Sequence, residues 1–192
     1  DDPITTQPDF LEDLKGQVKY FSKNDLPKNF QPHLMGEHNL ENMAATLAIT
    51  KKLGIRAEDA LDIMAQFKGV PFRMELIKTW QGPALSGVEG IKIINDTTAT
   101  SPEAGIQALK TFPNSNLICG GMNKGMDYRE FVEVVSKNCK KVFFLEGDAT
   151  DAILSSLRGA KPASSRRRRG ERRGNLTLNG PYNDLEELLT DV

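Results

Sequence analysis

Ile91-Lys92-Ile93-Ile94-Asn95-Asp96-Thr97-Thr98-Ala99-Thr100-Ser101-Pro102-Glu103 is the stretch whose reading decides the fold. Its first four residues read as a buried strand. Asn95 to Thr98 are four consecutive small polar residues, followed by Ala99 and Thr100, and Ser101, Pro102 and Glu103 then supply an N-cap, a proline at the first helical position and an acidic first turn for a helix through Lys110. A strand passing through a polar loop into a capped helix is the repeating unit of an α/β sheet, and the pattern recurs twice downstream. Leu117-Ile118-Cys119 runs into Gly120-Gly121, after which Asp127 and Glu130 have capping-box spacing ahead of an apolar face of Tyr128, Phe131, Val132 and Val135. Val142 to Leu145 is the third strand, followed by a helix from about Asp148 to Leu157. Three such units predict an α/β fold with a parallel sheet and three strand-to-helix loops at one edge, where open sheets bind ligands.

Upstream the pattern is helical. Leu40, Met43, Ala44, Leu47 and Ala48 share one helix face, and that helix should end at Gly54. Ala60, Ile63, Met64 and Phe67 repeat the spacing, with Glu58 and Asp59 in the first turn and Gly69 as the stop. Gly69-Val70-Pro71 reads as a hinge, which divides the chain into residues 1–69 and 70–192. Before Leu40 the chain reads as short strand-like pieces broken by Pro3, Pro8, Pro27 and Pro32, with Val18 to Phe21 and His33 to Met35 the expected strands. Arg166 to Arg169 with Arg172 and Arg173 puts six arginines in eight positions. Such a run repels itself and rarely packs, so residues 162–175 are expected to be a solvated insertion. Tyr182 to Leu189 regains an amphipathic character.

Composition narrows the function classes. With 192 residues, 39% hydrophobic and 27% charged, the chain is long enough for one large domain or two small ones. A net charge of -1 exerts no global pull on nucleic acid or an anionic membrane. Cys119 and Cys139 form no metal-ligand or disulfide pattern, no apolar run is long enough to span a bilayer, and Asp1-Asp2-Pro3 lacks the basic start of a signal peptide. These features predict a soluble, cytoplasmic protein.

Three groups of residues carry candidate chemistry. In Leu34-Met35-Gly36-Glu37-His38-Asn39-Leu40-Glu41-Asn42, a glycine precedes a helix start on which Asn39 and Asn42 share a face. Their amides each offer a donor and an acceptor, suited to an adenine edge or a ribose hydroxyl, although His38 or Asn39 could equally cap the helix. Arg73, just past the hinge, presents a planar fork matched to phosphate, or else forms a surface ion pair with Glu75. Asp96, at the end of a strand, can accept from ribose hydroxyls. In Cys119-Gly120-Gly121-Met122-Asn123-Lys124-Gly125-Met126-Asp127, glycines permit close backbone approach to an anion and Lys124 adds a point charge for a carboxylate; the plain alternative is an ordinary turn with a solvated lysine.

Taken in order, LMGEHNLEN, VPFRMEL, INDTTATSPEA and LICGGMNKGMDY resemble the Mur ligases over roughly residues 16–150. The Ala99-Thr100 ending of the third block, followed by Pro102, is most similar to the D-glutamate-adding branch. This resemblance implies a Rossmann-like C-terminal domain at 70–192, preceded by the tail of a central ATPase domain at 1–69. It implies ATP-dependent amide-bond formation through an acyl phosphate, with UDP-N-acetylmuramoyl-L-alanine and D-glutamate as substrates in peptidoglycan synthesis, by an enzyme monomeric when complete. It places Asn39 and Asn42 on adenosine, Arg73 on the ATP phosphates, Asp96 on the ribose, and Thr100 and Lys124 on D-glutamate. Mg2+ is implied, with ligands outside this stretch.

The chain departs from the family pattern at several points. Thr98 stands where the family usually has lysine, and Phe72 where a histidine commonly precedes the hinge arginine. No Gly-x-x-Gly-Lys-Ser/Thr phosphate loop occurs in the 192 residues, so the sequence reads as a ligase fragment, cut at both ends. Two other readings are a folylpolyglutamate synthetase-type or other Mur-type ligase, and a non-catalytic anion- or nucleic-acid-binding domain using the arginine run, which lacks aromatics for base stacking.

Overall fold

The computed structural model describes residues 15–16, 18–81, 90–158, 171–173 and 176–189. Two compact units divide the chain, Asp1–Pro71 and Phe72–Val192.

In the first unit a short 3-10 turn, Lys23–Asp25, precedes α1 (Glu37–Lys52) and α2 (Ala57–Gln66). Ser22 starts the turn by reciprocal capping: its hydroxyl accepts from the Asn24 N–H, and Asp25 accepts from the Ser22 N–H at 2.8 Å. The stripe predicted for α1 meets half of the one predicted for α2: Met43, Ala44 and Leu47 are buried against Ala60 and Met64, with Leu26 closing the cluster, whereas Ile63 is exposed and Phe67 lies past the end of α2 and is exposed too. Gly54, with φ of +78°, follows the cap of α1 as expected, but α2 ends at Gln66 on an extended Phe67, two residues before Gly69. The expected strands at Val18–Phe21 and His33–Met35 do not form; those residues are irregular. Strand-forming side chains so close to prolines have no neighbouring strand to complete a ladder.

In the second unit a four-stranded sheet runs in the order β3 (Ser115–Cys119), β4 (Cys139–Leu145), β6 (Leu176–Tyr182), β5 (Glu171–Arg173). β3, β4 and β6 are parallel, and β5 is antiparallel to β6. The helices α3 (Pro102–Thr111), α4 (Arg129–Asn138) and α5 (Asp148–Arg158) supply the core side chains Ile106, Leu109, Phe131, Val132, Val135, Ile153 and Leu154. β4 is buried on both faces: Val142 and Phe144 point into this core, while Phe143 packs with Tyr182 and with Leu188 of α6 (Leu185–Leu189).

Three expectations are overturned in this unit. Ile91–Ile94 is not the first buried strand of the parallel sheet. It lies in β2 (Ile91–Asn95), which pairs antiparallel with β1 (Glu75–Trp80) in a separate two-stranded sheet, and Ile91 and Ile93 are exposed. Three isoleucines in four residues state that a strand exists but not which neighbour it pairs with. The third parallel strand is instead β6, which begins directly after the 162–175 segment and carries no strand expectation from the sequence. Of the supposed insertion, Glu171–Arg173 is ordered as β5, because its backbone finds the open edge of β6; Arg166 to Arg169 lie outside the described residues. The Asp127–Glu130 capping box also does not form. Asp127 accepts from the Arg129 N–H at 2.9 Å instead, and the helix starts one residue later, after Tyr128.

Candidate active site

Within the second unit, the segment carrying Arg73 is bonded to the loop after β2. The Phe72 carbonyl accepts from the Thr98 N–H at 3.1 Å and from the Thr98 hydroxyl at 2.9 Å. The Met74 N–H donates to Asp96 Oδ1 at 3.0 Å. Glu75 Oε2 accepts the Phe72 N–H at 2.8 Å. The carboxylate that could have paired with Arg73 is therefore bonded to backbone, and among the described residues the exposed Arg73 guanidinium has no ion-pair partner. A planar cation left in water at a loop edge is available to an anion.

Thr100 is exposed immediately before Ser101, whose hydroxyl caps α3 by accepting from the Ala104 N–H at 3.3 Å. α3 and α4 run in the same direction. Near their starts Gly105 faces Phe131, so closely that a Cβ on the glycine would lie 2.8 Å from the ring; near their ends Asn138 donates to the Leu109 carbonyl at 3.0 Å. The N-termini of both helices therefore open at one end of the unit, so Thr100 and the loop carrying Lys124 face the same end although they are separate in sequence. Helix N-termini present unpaired N–H groups and partial positive charge, which favours a carboxylate or phosphate there.

The glycine loop after β3 is held from the side. Gly120, Gly121 and Gly125 have φ of +154°, +113° and +71°. Gly121 accepts the Ala149 N–H at 3.0 Å, and the Asn123 N–H donates to Asp148 at 2.8 Å, so the first turn of α5 fixes the loop. Asn123 in turn accepts the Gly125 N–H at 2.9 Å. Lys124 stands between these two anchored residues and is exposed. Nearby, the Arg129 guanidinium and backbone N–H hold the Asp127 carboxyl down at about 2, so that acid is charged and engaged at neutral pH. Burial pushes the thiols of Cys119 and Cys139 up to about 12 and about 11, which leaves neither as a thiolate nucleophile at neutral pH.

Asn39 and Asn42 belong to the first unit. Neither His38 nor Asn39 caps the helix, whose N-cap is Gly36 without a side-chain bond; Asn39 Nδ2 instead donates to the Met35 carbonyl at 2.8 Å, and Asn42 is exposed one turn on. Three contributors escaped the sequence reading. Thr98 had no role beyond its departure from the family pattern, Glu75 appeared only as a possible ion-pair partner of Arg73, and Asp148 lies 25 residues from the loop it pins, with no local signal linking them.

No family model matches the chain. Individual relatives do. It is 32% identical over 155 residues to a UDP-N-acetylmuramoylalanine--D-glutamate ligase of Natranaerobius thermophilus, covering 80% of this chain and 32% of that protein. A protein of the same description from Desulfitobacterium hafniense strain Y51 is 38% identical over 110 residues, 57% of this chain and 22% of the relative. These relatives are Mur ligases, the family that the four motifs resemble. The chain spans about a third of the length of the first of these curated relatives. Two solved Mur ligases from Thermotoga maritima share its fold, each at 22% identity and a TM-score of 0.51. MurF ligase in complex with ADP matches over 82% of this chain and 32% of its own, and UDP-N-acetylmuramate-alanine ligase MurC over 66% and 28%. Mur ligase fold and α/β architecture thus agree with the resemblance read from the four motifs.

Proposed function

We propose that residues 1–69 are the end of the central ATP-binding domain of a Mur ligase and residues 70–192 most of its amino-acid-binding domain, in an enzyme that adds D-glutamate to UDP-N-acetylmuramoyl-L-alanine. In this reading ATP phosphorylates the substrate carboxylate, and the D-glutamate amine attacks the acyl phosphate, forming the amide and releasing phosphate. The observation that supports it most is the exposed Arg73 guanidinium, held on a pinned turn and without an ion-pair partner among the described residues. Arg73 is assigned to the ATP phosphates, Asp96 to the ribose, Asn39 and Asn42 to the adenosine, and Thr100 and Lys124 to D-glutamate. A carboxylate has acceptor sites for about four hydrogen bonds, so the Met74 bond is compatible with a ribose contact at Asp96. Among the described residues no group of three or more His, Cys, Asp or Glu could hold a metal ion, so no step is assigned to Mg2+ at these residues.

In a ligase carrying this stretch, Arg73→Lys should lower the saturated rate and not merely weaken ATP binding, because a fork on phosphate stabilises charge that shifts during transfer and a point charge replaces it poorly. A variant with reduced ATP affinity and a wild-type saturated rate would contradict the assignment. The 192-residue chain itself, which has no Gly-x-x-Gly-Lys-Ser/Thr loop, should release no phosphate from ATP. A phosphate-release assay on purified chain measures this, and steady turnover above a no-protein blank would refute it.

A further inference from the structure

Arg73 sits between two residues whose backbones lie in the left-handed region, Phe72 at φ +65° and Met74 at φ +47°. Bulky side chains avoid that region, so a turn containing two of them relaxes unless other groups hold it. The direction in which the Arg73 side chain leaves the backbone is set by the two peptide planes that meet at its Cα. Both planes are fixed from the same loop. Thr98 fixes the plane before Arg73 by giving two hydrogen bonds to the Phe72 carbonyl, 3.1 Å from its N–H and 2.9 Å from its hydroxyl. Asp96 fixes the plane after it by accepting the Met74 N–H at 3.0 Å. The loop has its own bracing: the Thr97 N–H donates to Asn95 Oδ1 at 3.1 Å, and the Ala99 N–H to the Asp96 carbonyl at 2.9 Å. Thr98 is exposed, so the core gives no reason for its side chain; its hydroxyl bond is the contact the structure records for it.

We propose that Thr98 is a positioning residue for Arg73: its hydroxyl, bound to the Phe72 carbonyl, holds the left-handed turn that aims the guanidinium at a nucleotide polyphosphate. The proposal rests on the reading of Arg73 as a phosphate ligand and adds the group that sets its direction. The loop assigned to the ribose and the arginine assigned to the phosphates are then one bonded unit, and a ligand that orders the loop also orders the arginine.

The test uses the 192-residue chain and four variants: Thr98→Val, Thr98→Ser, Arg73→Ala, and Arg73→Ala with Thr98→Val. Valine keeps the shape of threonine without the hydroxyl; serine keeps the hydroxyl. Amide hydrogen exchange needs no ligand. The Met74 and Thr98 amides should exchange about fivefold faster in Thr98→Val, the size of one neutral hydrogen bond, and within about twofold of wild type in Thr98→Ser. Unchanged exchange in the valine variant, or equal acceleration in the serine variant, overturns the clamp. ATP titration followed by NMR gives the second readout. Thr98→Val should weaken ATP about fivefold, and Thr98→Ser should restore the affinity. In the Arg73→Ala background Thr98→Val should add nothing, since a residue acting only through Arg73 has no effect once Arg73 is gone. A fivefold loss that persists without Arg73 overturns the positioning role. If Arg73→Ala leaves ATP affinity unchanged, the phosphate reading of Arg73 fails, a result separate from the exchange measurement.

Discussion

In a ligase carrying this stretch, Lys124→Ala should raise the Michaelis constant for D-glutamate at least about thirtyfold, while the constant for ATP stays within about twofold. Removing one partner of a desolvated charge pair costs ~2 kcal/mol or more, and ~1.4 kcal/mol is a factor of ten. The lysine is exposed in the free chain, so its effect should fall on ligand binding and not on folding. The loop should survive the substitution, because its anchors are backbone contacts to Asp148 and Ala149 that do not involve the ammonium. Thr100→Val should act in the same direction but more weakly, since a neutral hydroxyl bond contributes less than a charged one. Substrate titrations on the two variants decide the matter. Should Lys124→Ala weaken ATP and leave D-glutamate untouched, the glycine loop belongs to the nucleotide and the assignment of the pocket is wrong.

The second large effect is expected at Gly147, where the turn after β4 passes against the glycine loop. A Cβ there would lie 2.5 Å from the Gly121 carbonyl oxygen and 3.1 Å from its carbon, and backbone cannot swing aside as a side chain can. Gly147→Ala should therefore push the two loops apart, with an overpacking cost of ~2 kcal/mol. Gly121→Ala is the control: its φ of +113° is unfavourable for alanine, but a Cβ there meets open space. Urea unfolding of the chain should place the Gly147→Ala midpoint below that of Gly121→Ala by roughly 1 M, taking a slope of about 2 kcal/mol per molar. Equal midpoints for the two variants would mean that the close approach at Gly147 carries no weight.

How much of this was legible in the sequence depended on whether the signal was local. The capped start of α3 was fully legible, because Ser101, Pro102 and Glu103 act on N–H groups within one turn of themselves. The stripe of α1 was legible for the same reason, as the spacing of Met43, Ala44 and Leu47 is a property of a single helix; that of α2 was legible only at Ala60 and Met64, since Ile63 and Phe67 are exposed. β1 was missed although its signal was present: Leu76, Ile77, Thr79 and Trp80 are strand-forming residue types, and Gly82-Pro83 and Gly87 separate them from Ile91 as turn residues separate the arms of a hairpin. The buried character expected of Ile91 and Ile93 was wrong because burial depends on what covers a strand, and that is not written in the strand.

The sequence by itself determined the α/β class, most helix boundaries, the four ordered motifs that mark a Mur ligase, and the residue types able to meet a nucleotide and a carboxylate. Only the tertiary structure decided that β2 pairs with β1 and not with the parallel sheet, and that β6 is the third parallel strand. It alone decided that Asp148 anchors the loop of Lys124, and that Thr98 and Asp96 fix the two peptide planes around Arg73. The physical reason is range. Capping, periodicity and turn chemistry act over about four residues, whereas the hydrogen bonds that hold the loops join groups 22 to 26 residues apart, and which distant donor finds which acceptor is settled when the chain packs.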